Sequence, residues 1–102
     1  IYKQGMKMEN LYPFKNACEI LYENPHFLVA FGWDEQNDRY SVGLRWGNSA
    51  NPYPIGQHGL PQWFILYETL SIDFLHSLKK QDNANHKAID EAIEKLQTNI
   101  KE

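Results

Sequence analysis

Six residues carry the side-chain chemistry that recognises an anionic or planar ligand: His26, Arg45, Trp46, Tyr53, His58 and Trp63. A guanidinium gives paired hydrogen bonds to a carboxylate or phosphate. Indole and phenol rings supply flat apolar walls with a polar edge. An imidazole can exchange a proton near neutral pH, so His58 beside Arg45 could also serve an enzyme as general base. The competing reading is structural: Trp46 and Trp63 close the ends of a core, and His58 pins its loop. These residues are scattered along the chain, so they form a site only if the fold gathers them.

Other chemistries find less in the sequence. There is no G-x-S-x-G elbow, no H-E-x-x-H and no Walker loop. Cys18 falls on the apolar side of an expected helix and reads as inert core rather than nucleophile. His26, His58, His76 and His86 have no metal-ligand spacing among themselves, and His76 and His86 read as solvent-side helix residues. Residues 34–38, DEQND, are rich in oxygen ligands but lack the glycine and distal glutamate of an EF-hand loop. They read as a solvated turn. No catalytic residue, metal or cofactor is therefore expected.

The elements that would position the six residues centre on a hairpin whose register is set by pattern. Residues 27–34 and 39–46 read FLVAFGWD and RYSVGLRW. One register places Phe27 opposite Trp46, Val29 opposite Leu44, Phe31 opposite Val42 and Trp33 opposite Tyr40. It also sets Asp34 opposite Arg39 and leaves Glu35-Gln36-Asn37-Asp38 as the tip. A slip of one residue would turn every apolar side chain to the other face.

Around the hairpin, residues 12–23 predict a first helix. Pro13 stands in its first turn, and Phe14, Ala17, Cys18 and Leu21 lie at helical spacing. Asn24-Pro25 ends it. Residues 47–61, GNSANPYPIGQHGLP, form a long loop by turn chemistry. Residues 62–67 predict a third strand, with Trp63, Ile65 and Tyr67 on one face and Phe64 and Leu66 on the other. Ser71 is the expected N-cap of a helix over 72–80, and residues 86–101 carry the cleanest helical stripe: Ile89, Ala92, Ile93, Leu96 and Ile100. The expected fold is α+β: a three-stranded antiparallel meander with helices packed on its aromatic face, in the order α-β-β-β-α-α. A meander would bring the six candidate residues to one end, under the 47–61 loop.

The second sheet face then lies bare. Leu28, Ala30, Gly32, Gly43, Phe64 and Leu66 would be exposed there, which predicts a homo-oligomer, most simply a two-fold dimer, with these residues as its interface.

The chain of 102 residues is one domain in length. Tyr2, Gln4 and Gly5 resemble the end of a protease-cleavage tag, ENLYFQG, although Ile1 and Lys3 depart from it. Residues 1–5 are therefore read as a tag remnant, and 6–102 as a single α+β domain. The net charge of −3 becomes −4 without Lys3, which argues against nucleic acid as a partner. A single cysteine and the lack of a long apolar run predict a cytoplasmic protein with no membrane partner.

The run GLPQWFILYETLSIDFLHSL over residues 59–78 resembles a pattern in small bacterial proteins of the immunity-protein type, where a G-x-P-x-W strand precedes a Leu-Ser helix start. The general character is also similar to orphan proteins carried on bacterial integron gene cassettes. The resemblance covers residues 26–80. It implies a cytoplasmic, non-enzymatic and often oligomeric bacterial protein, and it transfers no functional residue, because the pattern positions are structural. The expected function is a small non-catalytic binding module for a protein partner or a small anionic or planar ligand under the 47–61 loop. The alternatives are an enzyme using His58 and Arg45, or a purely structural homo-oligomer.

Overall fold

A computed structural model of the chain describes residues 12–14, 18–46, 53–55 and 62–101. Among the described residues four strands and two helices follow one another: β1 (Glu19–Glu23), β2 (Phe27–Asp34), β3 (Arg39–Trp46), β4 (Phe64–Ile65), α1 (Glu68–Leu78) and α2 (His86–Lys101). The strands form one antiparallel sheet in chain order. The fold is α+β, but the described residues show one strand more and one helix fewer than the sequence suggests.

The hairpin β2–β3 takes the register read from the sequence, from Phe27↔Trp46 to Asp34↔Arg39. Its apolar face, with Val29, Phe31 and Val42, packs under Leu75 and Leu78 of α1 and Ile89, Ala92 and Leu96 of α2. Tyr40 extends this face. Its ring stacks on Phe31 at 5.5 Å and meets the Trp33 ring edge at 5.1 Å, with the Lys95 ammonium 5.0 Å from its centroid.

Residues 35–38 of the tip are exposed, as expected of a solvated turn, but the aspartate at its base is not. Asp34 has 0% of its surface exposed. Its carboxylate accepts the backbone N–H of Gln36 and Asn37 at 2.9 and 3.2 Å, and the Asn37 side-chain amide at 2.6 Å. Asp38 closes the turn in the left-handed region, at φ 59°, which aspartate tolerates better than most side chains. Arg39 pairs with Glu68 at the start of α1.

The expected helix over 12–23 is overturned. Residues Glu19–Glu23 are instead β1, an edge strand paired to β2. A register shift between Ile20 and Tyr22 breaks the alternation. Ile20 packs toward the second sheet face, while Leu21 and Tyr22 both join the helix-side core. Upstream, Tyr12–Phe14 runs across the second face: the Tyr12 carbonyl accepts the Trp63 N–H at 2.8 Å, and the Pro13 carbonyl accepts the Glu35 N–H at 3.1 Å.

That segment corrects the expectation of a bare face. Phe14, Leu28, Ala30 and Trp63 form a second buried core, with Cys18, Ile20 and Ile65 against it. Gly32 lies under Cys18 and Phe14, and Gly43 lies under Phe14 and Trp63. A glycine floor lets the Phe14 ring sit directly on the sheet. Leu28, Ala30, Gly32 and Gly43 are therefore covered by this chain itself. Strand β4 also changes sides relative to the sequence reading. Its pairing, Gly43↔Ile65 and Leu44↔Phe64, carries Phe64 and Leu66 to the helix side and Trp63 to the second face. Leu66 packs on the helix-side core, and Phe64 is exposed.

The helices differ in how they begin. Helix α1 starts at Glu68, after Tyr67, with no side-chain cap. Ser71 is inside the helix rather than at its N-cap, and its buried hydroxyl donates back to the Tyr67 carbonyl at 3.1 Å. Helix α2 spans the predicted residues, and the Asn85 side chain caps it by accepting the Ala88 N–H at 3.2 Å. The Asn85 N–H donates to the Leu21 carbonyl at 2.9 Å, tying the start of α2 to the outer edge of β1. Among the described residues no helix is long and apolar enough to cross a membrane.

Candidate functional site

Successive residues of a strand point to opposite faces, so Arg45 and Trp46 are separated by the sheet. Trp46 lies on the helix side at the end of β3, half exposed. Its backbone exchanges two hydrogen bonds with Tyr53, at 2.7 and 3.1 Å, which sets Tyr53 beside it across the outer edge. Phe27, opposite Trp46 in the ladder, tilts against its ring with centroids 4.9 Å apart.

A cleft of about 370 Å³ opens where this aromatic end of the sheet meets the end of α1. Its walls are Tyr22, Phe27, Trp46 and Phe74, with Leu78 between them. Its polar groups are Asn24, Ser77 and Gln81, and none of the lining side chains carries a charge. Asn24 is positioned by its own turn: its side-chain oxygen accepts the N–H of His26 and Phe27 at 2.8 Å each, and its amide donates to the Tyr22 hydroxyl at 3.1 Å. The chemistry available is stacking on indole and phenyl faces, with neutral hydrogen-bonding groups at one end. The volume is at the lower end of the range for small-molecule sites.

The other expected residues are dispersed. His26 is exposed in the Asn24 turn and does not line the cleft. Trp63 is buried in the second core, with its ring 6.0 Å from Phe14. His58 lies outside the described residues. Arg45 is on the second face, only 4% exposed. Its Nη1 donates to the Gln62 carbonyl at 2.6 Å and to the Pro54 carbonyl at 3.4 Å, so it holds two points of the loop that follows β3. Burial lowers its pKa from the ordinary guanidinium value by penalising the charged form.

The sequence reading missed Tyr22, Asn24 and Phe74 as neighbours of Trp46. Phe27 was within reach of it, because the hairpin register already set Phe27 against Trp46. Two further cavities are of a different character. One, of about 410 Å³, lies beside the Arg39–Glu68 ion pair, and the other, of about 740 Å³, lies between Cys18, Trp33 and Lys95. Among the described residues no group of three His, Cys, Asp or Glu side chains could hold a metal ion. Comparison with known protein families, with curated proteins and with solved structures returns no match.

Proposed function

We propose that this chain is a small non-catalytic binding module whose site is the cleft between Trp46 and Phe74, and that it takes a planar, uncharged aromatic ligand. The observation that carries this reading is the half-exposed indole of Trp46, held by Phe27 on one side and facing an uncharged aromatic wall. Roughly 0.5 kcal/mol per heavy atom over about ten atoms gives about 5 kcal/mol, or a Kd of roughly 0.2 mM. The reading fits a cytoplasmic protein, since a single cysteine needs no oxidising compartment. The enzyme alternative gains nothing from Arg45, whose guanidinium is engaged with backbone carbonyls behind the sheet. The purely structural oligomer loses its motive, because the face that called for a partner is covered by Phe14 and Trp63.

The test is a thermal-shift screen of planar aromatics at millimolar concentration, followed by titration of the hits against tryptophan fluorescence. Trp46→Ala should abolish the shift while changing the melting temperature of the free protein little, because the ring is already half in water. A hit retained in Trp46→Ala moves the site elsewhere. A screen in which no aromatic shifts the wild-type protein refutes the reading.

A further inference from the structure

The polar end of the aromatic cleft carries a hydroxyl whose direction is set by its neighbours. Asn24 Oδ1 accepts the backbone N–H of His26 and of Phe27, at 2.8 Å each. Two N–H donors on one atom require that atom to be the oxygen, so the amide cannot be turned over. Its Nδ2 then faces Tyr22 and donates to the phenol oxygen at 3.1 Å. A hydroxyl that accepts from one neighbour turns its own hydrogen toward another. Tyr22 also lines the cleft, its partly buried ring packed against the helix-side core. Apart from Asn24, the other polar groups of the lining are Ser77 and Gln81. Both are exposed, and each can donate or accept, so neither selects a ligand by polarity. Among the described lining residues it is the Tyr22 hydroxyl that the fold orients as a donor.

We infer that the cleft selects, among flat uncharged rings, those that carry a hydrogen-bond acceptor at their edge: heteroaromatics with a ring nitrogen or a carbonyl. The selection rests on the aromatic cleft being the binding site proposed above. Tyr22 is the specificity-determining residue, donating its O–H to the acceptor, and Asn24 is the positioning residue that aims it. A ring without the acceptor leaves that hydroxyl facing an apolar edge, and the hydrogen bond it makes to water in the free protein is lost without replacement.

Indole and benzimidazole are the probe pair, because they share size and shape and benzimidazole adds one acceptor nitrogen. Both are titrated into the full ¹⁵N-labelled chain at mildly alkaline pH, where each is uncharged. Dissociation constants are read from the Trp46 indole N–H resonance, assigned by its loss in Trp46→Phe. Benzimidazole should bind the wild type about fivefold more tightly, the worth of one neutral hydrogen bond. In Tyr22→Phe the preference should disappear, with the affinity for indole unchanged. Asn24→Asp supplies the sign. Its carboxylate still accepts the two backbone N–H groups, but it can only accept from Tyr22. The phenol hydrogen then turns toward it, and the preference for benzimidazole should vanish or invert. If neither ring binds the wild type, the cleft is not the binding site and the selection falls with it. Equal binding of the two rings to the wild type, or a preference for benzimidazole that survives in Tyr22→Phe or Asn24→Asp, overturns the inference and leaves the cleft as the site.

Discussion

Replacing Gly43 by alanine puts the closed second face directly to the test. A Cβ at this position would stand 3.0 Å from Phe14 Cε2, 3.0 Å from Trp63 Cβ and 3.2 Å from Phe14 Cζ. Carbon pairs settle at about 3.5–4.0 Å, so three contacts are short at once. One of the crowding atoms is a Cβ fixed to its backbone, which cannot swing away, and both rings are buried. Overpacking of this kind costs about 1–3 kcal/mol. Gly43 does not have a left-handed φ, so alanine also brings the usual gain of about 0.4–1 kcal/mol from a less free unfolded chain. The net expectation is a loss of about 1–2 kcal/mol, a fall in melting temperature of about 5–12 °C for a domain of this size. Urea unfolding and calorimetry measure it. Phe14→Leu in the Gly43→Ala background should recover part of the loss, and the double-mutant cycle should show coupling between the sites. If Gly43→Ala melts at or above the wild type and shows no coupling to Phe14, then Phe14 and Trp63 do not lie on this face. The case for a second copy covering it would return.

Two further substitutions probe the frame that holds the cleft and the hairpin. Asp34→Ala strips the buried acceptor from the N–H groups of Gln36 and Asn37 and should cost about 3 kcal/mol. Asparagine at the same place should cost less, which separates loss of hydrogen bonds from loss of charge in denaturant titrations. Asn85→Ala removes the cap of α2 and should cost about 1 kcal/mol, read by urea unfolding and by faster amide exchange in the first turn of that helix.

The parts of the fold that were legible are those where local pattern and long-range packing agree. In the hairpin, every apolar residue of one face meets an apolar partner in a single register, so tertiary structure had nothing to override. In α2, the stripe of Ile89, Ala92, Ile93 and Leu96 leaves one helical face to bury, and that face is buried. The N-terminal segment misleads for a physical reason. The irregularity between Ile20 and Tyr22 sends Leu21 and Tyr22 to the same core, which destroys the period of two by which a strand is recognised. Phe14, Cys18 and Leu21 then fall by coincidence at helical spacing, although they serve two cores on opposite sides of the sheet. Ser71 misleads because its hydroxyl can satisfy a carbonyl within a helix as readily as an amide at the start of one. As for the candidate site, adjacency of Arg45 and Trp46 already implies opposite faces. The six residues share an end of the sheet but not a side. Asn24, Tyr22 and Phe74 could not be linked to Trp46 without knowing that β1 is a strand.

The hydrogen bond from Asn85 to Leu21 has a consequence for how the chain behaves in company. A sheet edge with unpaired backbone groups is a template on which another chain can crystallise as a further strand, and repeated addition leads to fibrils. Here the middle of the β1 edge is spoken for by the N–H of Asn85, and exposed Glu19 and Glu23 stand at either end of the strand. At the opposite side the last strand is only two residues long before the chain turns into α1. Both borders of the sheet are thus poor templates. In a domain rich in aromatic side chains, a composition that favours cross-β stacking, the described strand ends give another chain little edge on which to pair.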